Sequence, residues 1–172
     1  CVKHFAGYGG AEAGRNYNPV SMDSHTFQEF YLKGYQAGID AGAGMVMTSF
    51  NTIDGIPAST NHHLMRDILR GELGFDGVLI SDFAAIKETI AHGYSENGEK
   101  AAENALRAGV DIDMMTTTYL DHVADLIQKG VLKEELLDES VMRILELKNR
   151  LGLFENPYKD ADEEKEKELF LC

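Results

Sequence analysis

At 172 residues and 44% hydrophobic side chains, the chain has room for one folded domain with a sizeable core, and its composition is unlike that of a disordered segment. A formal net charge of −13 argues against a nucleic-acid partner, because affinity for phosphate backbones comes from clustered Lys and Arg. There is no run of about 18 apolar residues, so no membrane span is expected. The two cysteines, Cys1 and Cys172, form neither a disulfide framework nor a metal-ligand spacing, and no metal or cofactor is expected.

The chain opens on CVKHFAGYGG, a short apolar lead that runs into Lys3 and His4 and then a glycine-rich loop over 7–19. MDSHTFQEFYLKGYQAGIDAG follows with Phe27, Phe30, Tyr31, Gly34, Tyr35 and Gly38 at three-and-four spacing, which predicts a helix ending near Gly42. MVMTSF, residues 45–50, is flanked by Gly44 and the turn signal IDGIP and reads as a buried strand. NHHLMRDILRGEL predicts a second helix, and GVLISDF, residues 77–83, is the strongest strand signal in the chain. AAIKETIAHG reads as the helix after it, EKAAENALRA as another over 99–108, and VDIDMM as a fourth short strand. YLDHVADLIQKG and EELLDESVMRILELKNRLGLF complete the pattern as helices, and the acidic stretch YKDADEEKEKELF reads as a solvated helix or linker.

Apolar strands alternating with helices indicate an α/β fold with a parallel sheet covered by helices. Four such strands fit either a small doubly wound sheet or half of a (β/α)8 barrel, and both place chemistry at strand carboxyl ends. GYGGAEAG comes near a dinucleotide-binding pattern but leads into an irregular Asn-Tyr-Asn-Pro loop rather than a helix, which excludes that reading.

The polar strand ends are the candidate chemistry. Asp82 closes a buried apolar strand, where a carboxylate carries a desolvation cost unless its charge is used. Capping of the next helix by Ser81 or Asp82 is the plainer alternative. Lys3 and His4 at another strand end could face Asp82, and the three together would suit a polyol, with the cations donating to hydroxyls.

KHFAGYG, the AEAGRNYN loop, VMTSFNTIDGIPAS, LMRDILRGELGFDGVLISDF, ALRAGVDIDM and RILELKNRLGLFENPY occur in an order and spacing that resemble the bacterial β-glucosidase branch of glycoside hydrolase family 3. The resemblance implies the second half, about four βα units, of a (β/α)8 TIM-like barrel over 1–155, with KHF near the fifth strand. Residues 156–172 then correspond to the acidic start of a linker to an α/β-sandwich domain. It also implies a retaining mechanism through a covalent glycosyl-enzyme, with Asp82 as nucleophile.

On matching positions, Lys3 and His4 would bind sugar hydroxyls, Met47 would line the same subsite, and Phe50 stands where the family often has a Tyr. Phe83 replaces the Trp common after the nucleophile, keeping an aromatic wall of smaller size. Arg15, in GRNYN, would support the loop without touching sugar. The family's general acid is a Glu in the sandwich domain, and no Glu in this chain is assigned that role. The opening stretch would accordingly be an interior strand exposed by a cut. The chain alone is expected to be inactive and to pair with a complementary half-barrel or with itself. The substrate implied is a β-glucoside or oligosaccharide; the bacterial periplasm and cytoplasm both stay open as compartments.

Two rival readings remain at this point. One branch of the family cleaves β-N-acetylhexosaminides with an Asp-His acid/base pair, and Asp23-Ser24-His25 invites that assignment. The pair lies farther past KHF than in that branch, however, and Asp23 suits a helix N-cap. The other rival is a non-catalytic sugar-binding or self-associating half-barrel module. His62, His63, Met114 and Met115 read as loop or packing residues, and Asp111 and Asp113 as structural or mouth-facing.

Overall fold

The protein is described by a computed structural model over residues 1–158 and 162–170. Residues 159–161 and 171–172 of the expected linker lie outside the described residues. The chain begins on strand β1 (Val2–Phe5) and passes through a loop into helix α1, formed by the consecutive segments Ser24–Thr26, Phe27–Leu32 and Lys33–Asp40. Strand β2 (Met45–Thr48) leads into a hairpin of β3 (Thr52–Ile53) and β4 (Ile56–Pro57). Its turn residues Asp54 and Gly55 both take positive φ, the conformation that two-residue hairpins favour. Helix α2 (His63–Glu72), wound in π-type turns, precedes strand β5 (Val78–Ile80). The remaining elements are helices α3 (Ala85–Glu88), α4 (Gly98–Ala108), α5 (Thr118–Gln128), α6 (Glu134–Arg150) and α7 (Glu163–Leu169).

The sheet is parallel, in the order β1-β2-β5, and the connections that parallel pairing requires are supplied by α1 and α2. Cα partners are Val2 with Val46, Val46 with Leu79, and Met47 with Ile80. Because side chains alternate across a strand, Val46 and Leu79 share one face while Met47 and Ile80 share the other. The first face is the core: Phe5, Val46, Leu79 and Val110 pack with Leu64, Met65 and Leu69 of α2 and with Ala101 and Ala105 of α4. The opposite face, carrying Met47, Ile80 and Ile112, is only half buried. Ala102 and Leu106 on α4 meet Val123 and Leu126 on α5 in a second cluster. Gly77 sits against β2, and a Cβ there would lie 2.5 Å from the Gly44 carbonyl oxygen, so only glycine lets the chain enter β5 at this spacing.

Two elements differ from the sequence expectation. VDIDMM makes a single parallel bridge, Ile80 to Ile112, rather than a strand. The cause is Asp111, whose carboxylate accepts the Leu79 N–H at 2.8 Å and so uses a donor that a longer ladder would need. The helix expected over AAIKETIAHG stops after Glu88. The Thr89 hydroxyl bonds the Ile86 carbonyl at 2.7 Å, and the Tyr94 and Ser95 amides both return to the Thr89 carbonyl at 3.1 Å. Local side-chain bonding of this kind competes with helix continuation.

Asp111 is also the hub of an ion network that closes the fold. Its fully buried carboxylate accepts from Arg70 Nη2 and Arg143 Nη1, each at 3.0 Å. Arg70 in turn donates to the Gly77 carbonyl at 3.0 Å and the Gly109 carbonyl at 3.2 Å. Burial pulls the Arg70 guanidinium down to about 10, which leaves it charged at neutral pH. One carboxylate thereby ties α2, β5, the 109–113 segment and α6 together. Removing it leaves the buried Arg70 guanidinium without a carboxylate and Arg143 with Glu139 alone, and breaking a buried pair in this way costs about 3–5 kcal/mol. Asp111→Ala is expected to lower unfolding free energy by that amount in a denaturant titration; a loss below about 1 kcal/mol would show that the clamp contributes little.

Candidate functional site

Parallel pairing brings the carboxyl ends of β1, β2 and β5 to one edge, and the polar residues that end them meet there. The cross-links are specific. Ser49 N–H donates to the Phe5 carbonyl at 2.8 Å, and the Ser49 hydroxyl and Asn51 amide both donate to the Ala6 carbonyl, at 3.2 and 3.3 Å. The Thr48 hydroxyl accepts the Asp82 N–H at 3.3 Å and pairs with the Ser59 hydroxyl at 2.8 Å. On the β5 side, Ser81 N–H reaches the Ile112 carbonyl at 2.9 Å, and the Ser81 hydroxyl accepts from Met114 N–H at 2.9 Å.

Asp82 is thus held by backbone on both sides, and 9% of its surface is exposed. Its Oδ1 accepts the N–H of Phe83 at 2.7 Å, while Oδ2 lies 3.4 Å from His4 Nε2. It does not cap a helix: the residue before α3 is Ala84, in a left-handed conformation, with no side-chain cap. His4 is fixed from behind, because the half-buried Tyr35 hydroxyl of α1 donates to the His4 carbonyl, and burial pushes that hydroxyl up to about 12. The peptide bonds Lys3–His4 and Phe5–Ala6 are cis.

The structure brings His4 and Asp82 together as expected and places the other candidates around them unequally. Lys3 is exposed and forms no ion pair among the described residues, so the side chain facing Asp82 is the His4 imidazole. Met47 sits on the half-buried sheet face one strand away. Phe50 is packed against Tyr17, with ring centroids 4.4 Å apart, and against Tyr8 at 6.3 Å. Phe83 is 56% exposed and stands at the rim. Arg15 lines a cleft of about 370 Å³ with Tyr8, Gly9, Ala11, Gly14 and Asn16. Asp23 is engaged as the cap of α1, accepting from Thr26 N–H at 2.9 Å and from the Thr26 hydroxyl at 2.7 Å. Those bonds hold its carboxyl below the usual range and leave it no contact with the site.

Three residues of the site were not picked out by sequence reasoning. Tyr8 meets His4 edge-on at 5.3 Å and bonds Asn16 through its hydroxyl; burial, then the Asp82 charge, pushes that hydroxyl up. Tyr17 takes φ 69, a left-handed conformation rarely adopted by a bulky residue. Burial and the charge of Glu88, with smaller effects of Tyr8 and Asp82, push its hydroxyl up as well. Glu88, on α3, is raised chiefly by burial; His92 opposes the shift and Asp82 adds to it. The signal that could have found the tyrosines is two aromatic residues in an otherwise Gly- and Asn-rich loop directly after KHF.

A fixed, nearly buried carboxylate beside an imidazole, with aromatic rings along one side, is an arrangement suited to a neutral, hydroxyl-rich ring. The model of the glycosyl hydrolase family 3 N-terminal domain matches residues 1–147, and the chain belongs to that family. It is 43% identical over 157 residues to the periplasmic β-glucosidase of Salmonella typhimurium, an alignment covering 91% of this chain and 20% of that protein. Among solved structures, the β-glucosidase of Listeria innocua in complex with glucose superposes with a TM-score of 0.91 at 56% identity, covering 93% of this chain and 22% of that one. A mutant of the same enzyme in complex with laminaribiose gives a TM-score of 0.94 at 52% identity, covering 100% and 24%. The chain therefore spans about a fifth to a quarter of the length of these relatives.

Proposed function

We propose that the chain carries the nucleophile of a retaining, exo-acting β-glucosidase that removes terminal non-reducing β-D-glucosyl residues. The observation that carries this reading is the His4–Asp82 pair at the strand ends. Asp82 has one oxygen fixed by the Phe83 N–H, and the other is directed toward the imidazole. The family and the names of the relatives support the same assignment.

In this reading an Asp82 oxygen attacks the anomeric carbon as the bond to the leaving oxygen breaks, and the leaving oxygen takes a proton from an acid. A glycosyl ester on Asp82 results, and water then cleaves it with return of the proton. His4 and Lys3 donate to hydroxyls of the same sugar, Met47 and Phe50 shape its pocket, and Phe83 gives a rim against which the next group can stack. Arg15 holds the loop that carries Tyr17. The acid is proposed to be a Glu of a further domain that follows the acidic linker. Without it, a factor of about 10²–10⁴ in rate is lost, so the chain by itself should hydrolyse glucosides poorly or not at all.

We further propose that the βα units form the second half of a (β/α)8 barrel. The parallel order β1-β2-β5 continued by the Ile112 bridge supports this, as does the half-buried row Met47, Ile80 and Ile112, which would face the barrel interior. On α6, Val141, Met142 and Leu145 are exposed in a cluster that a neighbouring helix of the other half would cover.

Proton NMR of a glucoside being cleaved by the intact enzyme should show the β anomer of glucose forming first, with the α anomer growing only by mutarotation; α glucose as first product would overturn the retaining assignment. In size-exclusion chromatography, the 172-residue chain alone is expected to elute as dimers or larger species, or to be recovered as a defined complex with the complementary half. A well-ordered monomer at every concentration would contradict the half-barrel.

A further inference from the structure

Away from the strand ends, a cleft of about 300 Å³ runs between α1 and α2 beside the β3–β4 hairpin. It shares no residue with the Asp82 site. It lies behind the sheet face that carries Val46, where Phe27 and Leu64 join the core, so a barrel closed on the Met47 and Ile80 face does not fill it. Its floor is apolar, built from Phe27, Ile53, Ile56, Leu64 and Ile68. Leu64, Ile68 and Glu72 recur every four residues, so the floor follows one stripe of α2 and ends on a carboxylate. A second carboxylate, Asp54, stands at the hairpin turn, and neither forms an ion pair among the described residues. His63, on the same rim, is engaged by Asp67 at 2.8 Å. Asn61, only 7% exposed, supplies the remaining polar group. Its Oδ1 accepts the Leu64 N–H at 3.1 Å, while its Nδ2 makes no hydrogen bond among the described residues. A largely buried amide donor without a partner is costly until an acceptor arrives.

We propose that this cleft docks a segment of another protein, an extended peptide in which an apolar side chain is flanked by Lys or Arg. The apolar side chain fills the floor, a backbone carbonyl accepts from Asn61 Nδ2, and the flanking cations meet Asp54 and Glu72. Each part of the cleft thereby finds a partner, and simpler ligands leave one unmet. An apolar group alone does nothing for the Asn61 donor or the two carboxylates. An anionic partner is repelled by those carboxylates, and the chain's own acidic stretch after Pro157 is excluded for the same reason. A bare metal ion lacks its ligand set, since no group of three or more His, Cys, Asp or Glu side chains that could hold one occurs among the described residues. The net charge of −13 adds a long-range attraction for a basic partner.

The test is an NMR titration of the intact enzyme labelled at its isoleucine methyl groups. The probe is a capped hexapeptide, Gly-Lys-Leu-Phe-Lys-Gly. It should shift the methyl signals of Ile53, Ile56 and Ile68 along one saturable curve and leave that of Ile80 in place. Two control peptides, one with Glu for both Lys and one with Ser for both Leu and Phe, should move none of them. In Glu72→Lys, a change at an exposed position, the probe should bind about fivefold more weakly, the scale of one exposed ion pair. Glucoside hydrolysis by that variant should stay within about twofold of the parent, since Glu72 is outside the Asp82 site. No shift of the three methyl signals at millimolar probe would overturn the docking site. Equal shifts from the acidic control, or from a peptide of residues 156–170, would overturn it as well, because charge would then not select the occupant. An affinity unchanged in Glu72→Lys would have the same force.

Discussion

In a parallel sheet all strands end on the same side, and here that constraint gathers Lys3, His4, Ser49, Asn51, Ser81 and Asp82 at one edge. The short strands could not hold such an edge alone. Their ends are stitched by bonds from Ser49 and Asn51 to the Phe5 and Ala6 carbonyls and by Thr48 to the Asp82 amide. Underneath, the Asp111 clamp joins α2 and α6 to β5, and Tyr35 fixes the carbonyl of His4. The position of the Asp82 carboxylate therefore depends on charges and hydroxyls buried well away from it.

The two faces of the sheet are used differently. The face with Val46 and Leu79 is closed by α2 and α4, whose alanines allow close approach. The face with Met47 and Ile80 is left half buried, and it is the face on which the proposed barrel would close. At the carboxyl edge, burial and negative charge act together. Burial raises Tyr8, Tyr17 and Glu88, and the Asp82 charge adds to each shift, as the smallest cause for Tyr17 and Glu88.

How far the molecule could be read from its sequence varies by element. The strands VKHF, MVMT and VLI were legible because each is an apolar run between turn signals, and His4 and Asp82 were legible as polar ends of those runs. α3 and the VDIDMM segment were misread because the deciding bonds come from side chains. Thr89 turns the chain back after one helical turn, and Asp111 takes the Leu79 N–H in place of a ladder partner. Lys3 was expected to share in facing Asp82, yet its exposed position leaves that contact to His4. Tyr17 and Glu88 were missed for a further reason. They lie 71 residues apart, and only the folded loop after β1 brings them to one cleft.

The central claim is that Asp82 forms the bond to the sugar. It is tested most directly by inactivating the intact enzyme with a 2-fluoro-β-glucoside bearing a good leaving group, digesting it, and locating the added sugar by mass spectrometry. The account predicts a single glycosyl ester on the peptide containing ISDF, at Asp82, and none in the Asp82→Asn protein. A stable adduct on any other carboxylate would contradict it.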